Sequence, residues 1–349
     1  MSSRIDNNKL LYHPQRVAEW LDKGDCFPIY VEIGLTDKCN HRCIYCALDW
    51  LDHKGHSIQK QNMINTLKDM AKHNVKSVMF AGEGEPLMHA HIQDFIKFAK
   101  ESGMEVAVTT NGVLYNNRKI EQSLYHLSWI RFSVDSGLPE SYAAIHGTKP
   151  KDLDTVLSNI EHAVKIKKDR NLNVDIGVQA LLVNQSIDAI IILANKIKDI
   201  GVDNFQVKPY SQHPLSKNNL LINHDLVNLK KKFKTLETDK FKIYFRLNTI
   251  QRILEGPSYK SCHGLPFFAL ITATGDVIPC NLFYNNSDYT YGNINKSSFS
   301  DIWVGSRRKM VLNDLGKLHL DGCRAGCRLD SINRYLDRIK YPEPWDVFI

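Results

Sequence analysis

The chain has 349 residues, of which 43% are hydrophobic and 24% charged, with a formal charge of +7 from 45 basic and 38 acidic side chains. These proportions suit a globular protein and argue against a disordered or fibrous one. The longest apolar run, near Ala189 to Ala194, stops at Asn195 and Lys196, well short of the roughly 20 residues that cross a bilayer. The N-terminal Met-Ser-Ser-Arg-Ile-Asp-Asn-Asn lacks the apolar stretch of a secretory signal, so a cytoplasmic location and no membrane partner are expected. The positive excess is scattered. Its densest runs, Lys165 to Arg170 and Lys230 to Lys234, fall in helical patterns and read as solvated helix faces. No nucleic-acid partner is expected, whereas a mild preference for anionic, including phosphorylated, substrates is compatible with the balance.

In chain order, residues 1–28 read as an N-terminal extension. From residue 29 short apolar strands alternate with amphipathic helices. The strands are predicted at 29–36, 77–81, 105–110, 129–135, 174–183 and 204–210. Met63, Leu67 and Met70 form one helical stripe, and Val156, Ile160 and Val164 another. This alternation implies a parallel sheet covered by helices, in a barrel, a partial barrel or an open doubly wound sheet. A polar crossing stretch follows from Ser211 to Asn219, then a basic helix and a strand at 242–247. Gly275-Asp276 between apolar runs predicts a hairpin, and one helix is expected over 299–312.

Eight cysteines in a chain with no secretory signal point to metal or cluster ligation rather than disulfides. They divide into Cys39, Cys43 and Cys46; Cys262, Cys280, Cys323 and Cys327; and an isolated Cys26. Three clustered thiolates suit three irons of a cubane, leaving the fourth iron open to a substrate. Zinc, with His41 or His53 as fourth ligand, is an alternative, and unligated buried thiols are another. The hairpin brings Cys262 and Cys280 together, and Cys323 and Cys327 complete a four-thiolate set. Its spacing alone favours neither zinc nor a second cluster. Cys26 reads as an unligated thiol, with an acid or hydrogen-donor role as the alternative.

Cys39-Asn40-His41-Arg42-Cys43-Ile44-Tyr45-Cys46 resembles the C-x3-C-x2-C hallmark of the radical S-adenosylmethionine (SAM) superfamily, including the aromatic Tyr45 before the last cysteine. Gly82-Glu83-Gly84-Glu85-Pro86, one βα unit later, is similar to that family's segment that meets the SAM amino group. Cys262-x12-Gly275-x4-Cys280, with Tyr291-Gly292-Asn293-Ile294 and Asp301-Ile302-Trp303, resembles the C-terminal extension of SPASM and Twitch members. With four cysteines rather than about seven, the shorter Twitch form fits better; the closing C-x3-C differs from the more frequent C-x2-C.

The resemblance implies an α/β fold: a partial (β/α)6 TIM-like barrel over 29–240, followed by a small α+β auxiliary iron–sulfur domain over 241–349. It implies a SAM-binding [4Fe–4S] cluster on Cys39, Cys43 and Cys46, and an auxiliary [4Fe–4S] cluster on Cys262, Cys280, Cys323 and Cys327. SAM would meet Tyr45, Gly82, Gly84, Glu85, Pro86 and Asn111, with Ser133 and Asp135 at its ribose or carboxylate, and Gln179 and Leu182 nearby. A flavodoxin- or ferredoxin-type protein would donate the electron.

The implied chemistry is reductive cleavage of SAM to methionine and a 5′-deoxyadenosyl radical, which takes hydrogen from a substrate C–H bond. The auxiliary cluster would accept an electron, so that the net reaction is a dehydrogenation. The accompanying base is sought among Lys208, Tyr210, Arg131 and Arg246. A small polar substrate of sugar, aminocyclitol or nucleotide-sugar type is expected, and His213 and Lys217 would serve a phosphorylated one. The alternatives are a peptide-modifying maturase and, in another class, a zinc-stabilised binding protein without enzymatic activity. The roughly thirty residues before the first strand are too few for a separate leader-peptide domain, which counts against the maturase.

Overall fold

The structure, a computed structural model, describes residues 8–183, 185–218, 220, 226–317, 320–324 and 326–348. Residues 1–7 of the expected extension and Asn219 of the polar stretch lie outside them. The strands are β1 (Tyr30–Ile33), β2 (Ser77–Phe80), β3 (Glu105–Thr110), β4 (Trp129–Ser133), β5 (Asp175–Leu182), β6 (Asn204–Pro209), β7 (Lys242–Phe245), β8 (Phe268–Ile271), β9 (Asp276–Ile278) and β10 (Gly292–Asn293). They form one sheet in the order β10-β9-β8-β1-β2-β3-β4-β5-β6-β7. From β1 to β7 every neighbour is parallel and consecutive, as helical crossovers require. The α/β class read from the alternation is therefore the class observed.

Two features go beyond that alternation. β7 adds a seventh parallel strand on β6, and β8 pairs in parallel with β1, Tyr30 opposite Phe268. The β8–β9 hairpin at Gly275 forms as expected, and Gly275 sits at φ +88°, a conformation that disfavours side chains. The C-terminal hairpin is thus continuous with the barrel sheet.

Strand parity decides what each face carries. On β5, Ile176, Val178, Ala180 and Leu182 are buried in the main core against the helices, which include Lys60–Lys72 and Asp152–Asp169 with the expected stripes. The other face carries Glu32, Arg131, Ser133, Gln179 and Lys208 beside a smaller apolar cluster of Met79, Ala81 and Ala107. Ser133 stands opposite Gln179, and Leu181 opposite Lys208.

The single helix expected over 299–312 is two, Phe299–Val304 and Ser306–Leu315, parted by Gly305 in extended conformation (ψ 154°). Arg308, fully buried, reaches back to both carboxylate oxygens of Asp25 at 2.6 and 2.8 Å and lies 3.7 Å over the Trp303 ring. Helix Pro14–Lys23 packs Val17 and Trp20 into a small core with Leu336 and Phe267. Residues before β1 are thereby fastened to the C-terminal part. No helix among the described residues is long and apolar enough to cross a membrane.

Candidate active site

In parallel α/β sheets, groups at the C-terminal strand ends converge, and each element of the site sits there. The loop after β1 carries Cys39, Cys43 and Cys46. It is held on one side by the turn after β2. Glu85 N–H donates to Lys38 O at 2.8 Å. A Cβ on Gly84 would strike Lys38 O and stand 2.6 Å from Thr36 O and 2.7 Å from Asp37 C. Gly82, at φ +115°, lies against Gly34. The glycines of this segment therefore let two backbones meet. We expect Gly84→Ala to displace the cysteine loop at a cost of about 1–3 kcal/mol, as overpacking does; a lowered melting temperature with reduced iron retention after reconstitution checks this.

Glu85 is 3% exposed and accepts from Leu87 N at 3.0 Å, Thr110 Oγ1 at 2.6 Å and Asn111 N at 2.8 Å. Burial raises its pKa while those three donors oppose the rise. Its carboxylate thus braces β2 against β3 rather than standing open to an ammonium group, as the sequence led us to expect. Asn111 extends the brace, donating from Nδ2 to Asn40 Oδ1 at 2.8 Å. Pro86 opens the short 3-10 turn Pro86–Met88.

The loop's other side rests on helix Pro139–His146. Arg42 N donates to His146 O at 3.0 Å and Ile44 N to Ile145 O at 2.9 Å. Gly147 closes that helix at φ +56°, its absent Cβ leaving room for Arg42. His146, missed in the sequence, is wholly buried, with Nδ1 3.6 Å from Cys43 Sγ and Nε2 3.0 Å from Asp135 Oδ2. The Tyr45 hydroxyl lies against both Asp135 and Cys43. Asp135, 1% exposed, accepts from Leu181 N through Oδ1 at 2.5 Å. It is enclosed by protein.

Ser133 Oγ accepts from Gln179 Nε2 at 3.0 Å, and Gln179 Oε1 from Lys208 Nζ at 2.5 Å, a chain running across β4, β5 and β6. Leu182, expected near the cofactor, faces the helices; its neighbour Leu181 lines the cavity described below. The correction is one residue of strand parity.

These residues fit a cubane cluster. Burial raises the Cys43 thiol, and the Asp135 charge and the nearby Cys39 and Cys46 raise it further. Such crowded thiols become stable thiolates when bound to a cationic centre. Of the two histidines considered as a zinc ligand, His53 is engaged by Asp37 O at 2.8 Å. His41 is 2% exposed, and neither of its ring nitrogens finds a hydrogen-bond partner among the described residues. Burial and His146 lower its pKa to about 4.

The second set also converges. Burial raises Cys280, and charges on Cys327, Cys262 and Cys323 each add to the rise; burial pushes Cys262 up to about 12. Asn333 Nδ2 donates to Cys262 Sγ at 3.3 Å and Leu329 N to Cys327 Sγ at 3.4 Å, the N–H donors that stabilise metal-bound thiolates. Cys26 stands apart, buried, donating to Pro266 O at 3.6 Å, its thiol also pushed up to about 12 by burial. It is a packed thiol away from both cysteine sets.

Between Leu181 and the auxiliary Cys280 and Cys327 opens a cavity of about 310 Å³. Lys208, Arg246, Arg252, Arg324 and Arg328 line it, and no carboxylate does among the described residues. Burial, with Arg246, Arg131 and Arg328, lowers the Lys208 pKa to about 7. Arg131 and Tyr210, expected in the pocket, do not line it. Arg131 pairs with Asp175 at 2.5 Å, and Tyr210 donates to Gln212 Oε1 at 2.7 Å. His213 is buried, stacked on Trp50 and 3.2 Å from Asn281 O, while Lys217 is exposed and its backbone N–H donates to Asp49 at 3.0 Å. Neither side chain meets the cavity.

Comparison with known proteins agrees with this geometry. Residues 33–180 match the radical SAM superfamily, and residues 262–328 match the SPASM iron–sulfur cluster-binding domain. The chain is 31% identical over 140 residues to a probable GTP 3′,8-cyclase of Methanosarcina acetivorans, a match covering 39% of this chain and 41% of that protein. It is 24% identical over 310 residues to the tungsten-containing aldehyde ferredoxin oxidoreductase cofactor-modifying protein of Pyrococcus furiosus, covering 80% and 81% of the two chains. Its fold resembles Streptococcus suis SuiB bound to precursor peptide SuiA, with a TM-score of 0.69 at 17% identity over 99% of this chain and 82% of that one. The chain thus carries a radical SAM domain followed by a SPASM iron–sulfur cluster-binding domain, which implies SAM, a [4Fe–4S] cluster and auxiliary iron–sulfur as cofactors, and it spans under half the length of the Methanosarcina relative.

Proposed function

We propose that this enzyme takes hydrogen from carbon in a small anionic molecule, of sugar-phosphate or nucleotide-sugar type, and oxidises the resulting radical. The single observation that carries this is the cavity of about 310 Å³, with four arginines, Lys208 and no carboxylate on its wall among the described residues, beside two auxiliary cysteines. When bound, the cofactors on the two cysteine sets supply one-electron cleavage of SAM to a 5′-deoxyadenosyl radical and a one-electron acceptor. The protein's residues do the rest. Arg246 and Arg324 hold the anionic group by charge-assisted hydrogen bonds. Lys208, poised near neutrality and fixed by Gln179, takes the hydroxyl proton as the substrate radical becomes a carbonyl. The Methanosarcina relative's name, with its GTP, points to the same substrate class.

A peptide substrate is the second reading, favoured by the fold shared with SuiB, which was solved with its precursor peptide. Reconstituted protein under anaerobic conditions, given SAM and dithionite, separates the two. Nucleotide sugars and sugar phosphates should raise 5′-deoxyadenosine above the substrate-free rate and yield an oxidised product. Arg246→Gln should then raise KM about 10- to 100-fold, the size of a lost hydrogen bond to a charged group, with kcat much less affected. Turnover confined to peptides, or an unchanged KM in Arg246→Gln, would overturn the anionic reading.

A further inference from the structure

We infer that His146, held by Asp135, donates a hydrogen bond from Nδ1 to the Cys43 sulfur and so sets the reduction potential of the SAM-binding cluster. The inference rests on that cluster being held by Cys39, Cys43 and Cys46, and not on the identity of the substrate.

The geometry is specific. His146 is fully enclosed, on the last turn of the helix that carries the cysteine loop, and its two nitrogens face different partners. Nδ1 lies 3.6 Å from Cys43 Sγ. Nε2 lies 3.3 Å from the Asp135 backbone nitrogen, which donates to it, and 3.0 Å from Asp135 Oδ2. A ring whose Nε2 accepts from the backbone carries its hydrogen on Nδ1. The remaining tautomer would turn an Nδ1 lone pair toward a sulfur that is a thiolate once iron is bound, and two lone pairs repel. The form whose Nε2 accepts from the Asp135 backbone therefore presents N–H to sulfur, within reach of the longer hydrogen bonds that sulfur accepts.

The consequence follows from charge. Reduction adds an electron delocalised over iron and sulfur, and an N–H pointing at a ligand sulfur stabilises the more negative state. The Asp135 backbone N–H acts through the ring, fixing its orientation from the far nitrogen. This gives the Ser133-Val134-Asp135 strand end a part in the cluster rather than in ligand contact. The rings of Tyr142 and His41 pack against the imidazole, 4.3 and 5.4 Å away between ring centroids. His146 and Asp135 are positioning residues.

The test reads the cluster, not turnover. In redox titrations followed by paramagnetic resonance, the signal that changes on adding SAM belongs to the three-thiolate cluster. His146→Leu, which removes the donor, should move its midpoint to more negative potential and slow dithionite-driven SAM cleavage about 10- to 100-fold, the usual scale for such partners. His146→Asn, whose side-chain amide lies near the position of Nδ1, should recover part of the shift. An unshifted midpoint in iron-loaded His146→Leu would overturn the inference. Should that variant fail to load iron, pulsed resonance on the unaltered protein decides. With 15N-labelled histidine, a nitrogen coupling and an exchangeable proton coupling to the reduced cluster are expected, and their absence defeats the proposal.

Discussion

Cys43→Ala is expected to form no detectable 5′-deoxyadenosine, while keeping about four of the roughly eight irons that two cubane clusters hold. The thiol sits where three supports meet: the Gly84 turn holds one side of its loop, Gly147 and the 145–146 carbonyls hold the other, and His146 faces the sulfur. Removing it leaves two thiolates for three irons. The auxiliary set, on separate elements around β9 and the helix Asp330–Lys340, should load regardless. Iron and sulfide analysis with chromatography of the nucleoside products measures both. Normal SAM cleavage by this variant would remove the cluster from this loop.

Lys208→Met should lower product formation by about 10²- to 10⁴-fold, the range for loss of a general base, while SAM cleavage continues uncoupled. The pH profile follows from the depressed pKa. Product formation by the unaltered enzyme should rise with pH up to about 7, as Lys208 loses its proton, and then level off. Stability carries the same signature. The unfolded lysine titrates near 10.5 and the folded one near 7, so between those values the unfolded chain holds the extra proton. Stability from this group therefore falls as pH drops from 10.5 toward 7 and changes no further below it. Lys208→Met should flatten that slope in thermal melts and melt higher at neutral pH. A profile unchanged by the substitution would assign the base elsewhere.

The alternation of strand and helix, and both cysteine sets, were legible because each leaves a local pattern: period two, period 3.6 and fixed spacing. Residues whose roles depend on distant partners were not. Leu182 was chosen over Leu181 because an apolar run does not reveal which parity faces inward, and only the Ser133–Gln179 register resolves it. Glu85 and Asp135 occupy family-like positions, yet their carboxylates are claimed by Thr110, Asn111 and Leu181 from other strands. His146 resembled an ordinary last-turn histidine; the Gly147 after it marked a helix end but not the sulfur beyond. Gly305 inside an apolar pattern was a visible breaker signal that the single-helix expectation passed over.

Because β8 flanks β1 on one side and β2 on the other, the strand that launches the radical-generating loop is interior to the sheet only when the last third of the chain is in place. A fragment ending near residue 240 would leave Tyr30–Ile33 with a bare row of amides and carbonyls, an invitation to intermolecular pairing. The strand that carries the radical-generating loop thus draws half of its backbone pairing from the C-terminal part of the chain.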